Sequence, residues 1–526
     1  MLSCYIPHRK SLHPCSPLWR SVCQKLSAFH HFLYHLNSCL IQFFYFLFLS
    51  FLGFWVLKAL KPRASMPDNL DLFFMSVSSA TVSSMSTVEM EVFSNAQLIV
   101  ITFLMLVGGE VFLSMVGLHL STSYLQSPVQ TKYRVDALAR ITPEDLNHVE
   151  MGIVSALEQS EHQPEMEPSQ AQDVKYNSRK VLVLLILAYI LIIHIFGVAS
   201  VLAYMRVVTG ARDALEKKGL KIITYAIFTI VSSFSSCGFT PNNENMALFS
   251  KNSGLLIIIL PQLLLGNTLY PSCLRLLIWV TGKFWRKHEC GYLSSNGDEI
   301  GYNHLLPRTY SWLLPLTVFG FIGVQMILFC AMEWNSGLMS GMNGYQKFVG
   351  SLFQCVNTRH TGESIVNIAA IAPAILVLFV VMMYLPPYTS FLPPKYNEAN
   401  ATQVHDSQHM SMRKRLMENV LFSQLGYLVI FIIAICLTER KSMTKDPLNF
   451  NVLNVAVEVV SAYGNVGFST GYSCELRLNP QGTCTDKDYG FAGKWSNQGK
   501  IILIVIMFFG RLKKFNMHGG KAWKLE

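Results

Sequence analysis

Four times along the chain a long apolar segment is followed by a short stretch bearing glycine and serine, and then by a second apolar segment. The short stretches end in TVSSMS (81–86), FSSCGF (234–239), NTRHTG (357–362) and GNVGFS (464–469). Each follows a run of mixed apolar residues, at 72–82, 222–234, 345–355 and 452–463. Such runs are too short to cross a ~30 Å hydrocarbon layer, which takes about 20 helical residues. They can enter a membrane as a half-helix and return as extended chain only where protein or water surrounds the irregular backbone. An axial pore supplies that environment. One Gly/Ser patch is what any outer turn contains, but four in matching places behind half-length apolar runs point to re-entrant pore loops.

The composition agrees. Of 526 residues, 51% are hydrophobic and 14% charged, the range of polytopic membrane proteins. The net charge of +10 sits in short clusters beside apolar spans rather than on one basic face, which argues for membrane orientation and against nucleic acid. Candidate spans run over 40–60, 95–118, 181–204, 255–280, 312–332, 366–385, 416–437 and 500–515. Eight spans put both termini on one side, with the clusters Lys132/Arg134/Arg140, Lys283/Arg286/Lys287, Arg413/Lys414/Arg415 and Lys513/Lys514. The positive-inside rule makes that side cytoplasmic. Arg206, Arg212, Lys217, Lys218 and Lys221 would then lie outside, an excess the rule does not explain.

The expected fold class is an all-α polytopic membrane protein of eight transmembrane helices and four re-entrant loops, in four membrane-pore-membrane units around one pathway. The units are 40–123, 180–288, 309–390 and 416–526. Residues 1–39 form a cytoplasmic N-terminal segment whose following span is an uncleaved anchor, and 124–179, 289–308 and 391–415 are cytoplasmic linkers. The sequon at Asn400 would stay unmodified on that side. VGGEVF (107–112), LGNTLY (265–270) and FGRLKK (509–514) repeat at corresponding places in three second spans; MMYLPPY (382–388) departs from them.

Cation selection needs oxygens that replace part of a hydration shell, and backbone carbonyls are the usual source. Turning four strands inward at close range calls for glycine, which Gly238, Gly362 and Gly467 supply; the first loop has Ser84. No P-loop, GxSxG, HExxH or metal-ligand cluster suggests an enzyme or a cofactor. A receptor remains a different-class alternative, but it leaves the half-length segments unexplained.

The text SVSSATVSSMSTVEMEVFSN (76–95), SSCGFTPNNENM (235–246), VNTRHTGES (356–364), YGNVGFSTGYSC (463–474) and GRLKKFN (510–516) resembles the plant high-affinity potassium transporter (HKT) family, of the Trk/Ktr/HKT group. The similarity runs from about residue 40 to the C-terminus. It implies that Ser84, Gly238, Gly362 and Gly467 are the selectivity filter, with Na+ held transiently by its backbone. Serine in the first position is similar to the sodium-selective subfamily, so the resemblance implies potential-driven Na+ uniport in the plasma membrane, serving xylem sodium retrieval and salt tolerance. Na+/K+ symport or K+ uptake is the alternative. It also implies a homodimer by analogy, and places Arg511 below the filter as a barrier or latch, against the bland reading of a snorkelling arginine.

Glu89, Glu91, Glu244 and Glu363 follow filter segments, where outer-mouth carboxylates would concentrate cations; surface solvation explains them nearly as well. Asn242, Asn243 and Asn245 either brace the second loop or make ordinary turns. His194 is expected to be a hydrogen-bonded imidazole between helices. Arg359 and His360 flank the third filter strand, where a carboxylate partner is expected. Glu110 is expected to find a basic partner across the bundle. Cys474 and Cys484 share an outer loop and are disulfide candidates.

Overall fold

The computed structural model describes residues 38–125, 168–389, 424–476 and 487–516. Cys484, the sequon at Asn400 and most of the N-terminal segment and linkers lie outside them. Among the described residues the structure is helical, with one isolated antiparallel bridge between Tyr472 and Lys487.

The first unit comprises α1 (Ser38–Ala59), the half-length α2 (Asn69–Ala80), α3 (Asn95–Gly108) and α4 (Glu110–Leu125). The second comprises α5 (Pro168–Val207), the short α6 (Thr209–Lys217), α7 (Ile222–Phe234), α8 (Ser253–Leu265) and α9 (Tyr270–Phe284), with α10 (Lys287–Ser295) and α11 (Gly297–Ile300) behind it. The third has α12 (Arg308–Glu333), α13 (Gly344–His360) and α14 (Pro373–Tyr384); the fourth has α15 (Gln424–Thr438), α16 (Arg440–Lys445), α17 (Val452–Gly464) and α18 (Asn497–Asn516). Local chemistry starts several of them. Ser94 with Gln97 and Asn343 with Gln346 form capping boxes ahead of α3 and α13, and Pro373 opens α14, where its missing N–H costs nothing.

Three helices are long and apolar enough to cross a bilayer alone: Leu40–Ala59, Asp173–Val207 and Arg308–Glu333. Two further pairs of helices are apolar and long enough only together, and both are bent. α3 and α4 meet at 56°, and α8 and α9 at 80°, so the spans expected as unbroken at 95–118 and 255–280 are each broken in the middle. α14 and α15 are shorter, and α18 carries Lys500, Arg511, Lys513 and Lys514. α5 begins inside the stretch read as a linker, at Pro168.

A large apolar core encloses a set of buried polar residues, and apolar side chains also cover the outside. Ser76, Ser78, Ser79, Thr229, Ser232, Ser233, Asn357 and Thr358 are wholly buried, whereas Phe48, Trp55, Ile195, Phe196, Leu316 and Ile327 are exposed on α1, α5 and α12. A lipid solvent permits that exposure, because apolar side chains facing hydrocarbon carry no hydrophobic penalty.

The glycines repeated in the second spans explain how the half-helices are seated. A Cβ on Gly108 would lie 2.0 Å from the Ala80 carbonyl oxygen, one on Gly266 1.9 Å from that of Phe234, and one on Gly510 2.1 Å from that of Tyr463. Each of those carbonyls belongs to the residue four before a predicted filter position. Only a missing side chain lets the second helix approach so closely. The third unit, whose α14 ends without such a glycine before residues 385–389, departs here as its sequence does.

Candidate functional site

Three of the half-helices end in the same backbone gesture. Val82 and Ser84, Ser236 and Gly238, and Asn465 and Gly467 all have positive φ, at 50° and 53°, 62° and 95°, and 49° and 102°. Alternate left-handed residues turn the chain sharply after the helix; for residues with a Cβ this stores strain, of the order of 1–3 kcal/mol each. The turn is held by the residue six places before the filter position. Ser232 and Ser461 accept from the backbone N–H groups of Gly238 and Gly467, each at 3.0 Å, through their Oγ atoms. Their carbonyls, with that of Ser78, accept the N–H of the residue five places on, at 2.8–3.0 Å. VSSA (77–80), VSSF (231–234) and VSAY (460–463) are thus one repeated element, which the sequence reading missed.

The third strand is built differently. α13 runs to His360, past the end expected at 355, and Thr361 continues in extended conformation at φ −153°. Gly362 is reached without a left-handed residue.

The four predicted filter positions meet in a ring. A Cβ on Gly238 would stand 2.2 Å from the Gly362 nitrogen, one on Gly362 2.7 Å from the Gly467 carbonyl oxygen, and one on Gly467 2.3 Å from the Ser84 Cβ. The Cys237 thiol contacts the Ser84 backbone, so units one to four close in cyclic order. Cross-links reinforce two of the junctions, second to third and fourth to first. The Gly362 N–H donates to the Cys237 carbonyl at 3.4 Å, and Asn245 donates through Nδ2 to the Gly362 carbonyl at 2.9 Å. Asn465 donates to Ser83 Oγ at 2.7 Å, while Gly490 N–H donates to Ser86 Oγ at 3.0 Å. The Gly362 carbonyl therefore already carries one protein donor, and the second lone pair is what it has to offer a cation.

Asn242, Asn243 and Asn245 are braces. Asn242 donates to the Asn245 carbonyl at 2.6 Å, and Asn243 exchanges bonds with Glu91, accepting its backbone N–H at 3.0 Å. Glu363 does not stand at an outer mouth: it is wholly buried and accepts from Ser233 Oγ at 2.5 Å, tying the third strand to α7. The mouth reading of Glu363 fails because the chain turns inward directly after Gly362. Sequence reasoning also missed Glu458, buried in α17 and accepting from Ala492 N–H at 3.0 Å.

The remaining acids are paired. Lys218 reaches Glu91 at 3.0 Å and also binds Glu244, and Lys487 lies 3.6 Å from Glu89. Burial works to lower the Lys218 pKa, but hydrogen bonds and charge from Glu244 and Glu91 outweigh it and hold it above the ordinary lysine value. Part of the basic excess ahead of the second loop is accounted for here: Lys218 is the counter-ion of Glu91 and Glu244, and Arg212 pairs with Asp213 and Glu216. Burial first, then the Glu244 and Glu89 carboxylates, push the pKa of neighbouring Asp488 up.

Arg511 is 1% exposed; its guanidinium donates to the Gly108 carbonyl and lies 5.7 Å from the Phe46 ring centre. It does not snorkel. It joins α18 to the first unit, within electrostatic reach of Cys237 and of Glu110. Arg511 and Lys514 act on Glu110 through charge at a distance, and among the described residues Glu110 forms no ion pair. Glu110, Tyr384, Tyr463, Gly510, Lys513 and Lys514 line a cavity, where the Lys513 ammonium donates to the Tyr463 hydroxyl.

Among the described residues Arg359 and His360 have no carboxylate partner. Arg359 donates to the Pro386 and Pro387 carbonyls; His360 pairs with Thr268 Oγ1 at 2.8 Å. His194 lies 2.7 Å from the Ile190 carbonyl and edge-on to Phe234. Cys474 is disulfide-bonded, and its candidate partner Cys484 lies outside the described residues.

The TrkH family model, described as cation transport protein, matches residues 156–393 and 394–517. The "Probable cation transporter HKT1;4" of Oryza sativa subsp. japonica is 48% identical over 490 residues, covering 92% of this chain and 96% of its own. The "Sodium transporter HKT1" of Arabidopsis thaliana is 46% identical over 477 residues, covering 89% and 91%. Among solved structures, the potassium transporter TrkH from Vibrio parahaemolyticus is similar with a TM-score of 0.49 and 14% identity, over 92% of this chain and 85% of that one. The chain belongs to the TrkH family of cation transport proteins, among its HKT members.

Proposed function

We propose that this membrane cation transporter is a sodium-selective, potential-driven uniporter of the plant plasma membrane, with eight crossings, both termini in the cytoplasm and Ser84, Gly238, Gly362 and Gly467 as its filter. The observation that carries the reading is the asymmetry of the ring. Three positions are glycine, and the fourth places the Ser84 side chain against Gly467. A Cβ and hydroxyl there take space that a larger ion with more ligands would use, while sodium manages with fewer. The 46% identity to a protein named as a sodium transporter supports the same direction. Arg511 acts as an electrostatic barrier beneath the filter, and a positive charge at that depth slows cations without binding them. Retrieval of sodium from the xylem and salt tolerance are the roles such a conductance serves, and the working form is a homodimer.

Two-electrode voltage clamp of expressing oocytes, with external Na+ and K+ varied independently, tests the reading. The reversal potential is expected to follow Na+ and to ignore K+ replacement. A reversal potential that follows both ions equally indicates symport or mixed cation uptake instead, and no current indicates a receptor or other function.

A further inference from the structure

The second half of the broken span of unit two leaves the line of the first. α9 turns 80° from α8 after Gly266. Its first half is fastened to the start of the long span α12, where Ser272 donates to the Ser311 carbonyl at 2.7 Å and Arg275 to the Leu306 carbonyl at 2.8 Å. A helix fixed at the end of one span and nearly perpendicular to another has the disposition of an interfacial helix. Its inner stripe, Tyr270, Leu274 and Ile278, is buried. The outer stripe is apolar as well: Leu276, Trp279 and Phe284 are exposed, and Trp285 follows at 88% exposure. Trp312, in the first turns of α12, is exposed as well. Tryptophan is the residue of membrane interfaces.

Cations gather at the far end of this stripe. Lys283 lies over the Trp279 ring at 5.6 Å, Arg286 is 3.2 Å from Glu289, and Lys287 opens α10. Glu289 offsets one of the three charges. We infer that α9 is an interfacial anchor whose Trp279/Trp285 face enters the bilayer and whose Lys283, Arg286 and Lys287 bind acidic phospholipid headgroups. Basic groups beside an acidic surface each favour it by about 1 kcal/mol, roughly a fivefold factor. Two uncompensated charges therefore select phosphatidylserine over phosphatidylcholine by at least about fivefold after screening. The inference goes beyond the transport reading and needs no ion flux to be tested.

The full chain, reconstituted in phosphatidylcholine vesicles carrying a minor fraction of brominated phosphatidylserine or brominated phosphatidylcholine, provides the test. The quenching lost in W279F/W285F isolates the two anchors. That component should be at least about fivefold stronger with the brominated serine lipid at low salt, and K283Q/R286Q/K287Q should remove the preference while leaving quenching by brominated phosphatidylcholine intact. Retention of that second signal reports that the variant is folded and inserted. Equal quenching by the two lipids in the unaltered protein overturns the headgroup site. Absence of quenching from both overturns the interfacial placement and assigns the face to a second copy or a soluble partner.

Discussion

Gly467 stands so close to Ser84 that a Cβ on the glycine would lie 2.3 Å from the Cβ of the serine. The fourth and first strands therefore touch at the one ring position that carries a side chain, and the glycine opposite is constrained twice. Its φ of 102° disfavours any Cβ, and the space a Cβ would take is filled.

Gly467→Ala is accordingly expected to lower current at least tenfold at equal surface abundance, by backbone strain of the order of 1–3 kcal/mol and by overlap. Adding Ser84→Gly removes one of the two contacts and should restore part of the current. Surface biotinylation alongside voltage clamp checks this. Full current in the single variant would remove the ring from the account.

Lys218 pairs with both Glu91 and Glu244, so Lys218→Ala leaves one more net negative charge on that carboxylate cluster. Sodium current at low ionic strength should rise, by about twofold to threefold, because local negative charge concentrates cations. The gain should fade as salt approaches physiological strength. Concentration series on both proteins check the sign.

Asp488 lies outside the spans and keeps its proton more readily than an exposed aspartate, through burial and the charges of Glu244 and Glu89. As external pH falls, its negative charge is lost at a higher pH than the ordinary aspartate value, and cation attraction is lost with it. Current should thus decline earlier on acidification than exposed carboxylates would dictate. Asp488→Asn should show the lower current already at neutral pH and lack that limb of the profile.

Arg511 holds the Gly108 carbonyl with a buried guanidinium. Arg511→Gln keeps a donor and removes the charge, so inward current should increase and rectification weaken, measured from current-voltage curves. Arg511→Lys, which keeps the charge, should resemble the parent.

Much of this was legible in the chain because the four units repeat. Three of the four proposed filter positions stand out by their glycines, and Gly108, Gly266 and Gly510 by the related text around them, since a close helix approach needs the same small residue each time. The third unit departs visibly in both respects: α13 runs on to His360 and no left-handed residue precedes Gly362. What local pattern does not carry is the partner of a polar group far away in sequence. Glu363 looked like a mouth acid because its neighbours are polar, yet Ser233, 130 residues earlier, receives it. Lys218 looked like a violation of charge bias until Glu91 and Glu244 appeared beside it. The bends after Gly108 and Gly266 were hidden because apolar text continues through them, and hydropathy does not record direction.

The ratio of K+ to Na+ permeability in Ser84→Gly, read from reversal potentials under ion substitution, tests most directly that these four residues encircle one ion route. Removing the Cβ and hydroxyl beside Gly467 should raise the ratio several-fold, since coordination at that level changes for the larger ion first. An unchanged ratio, at unchanged surface abundance and current, would contradict the assignment.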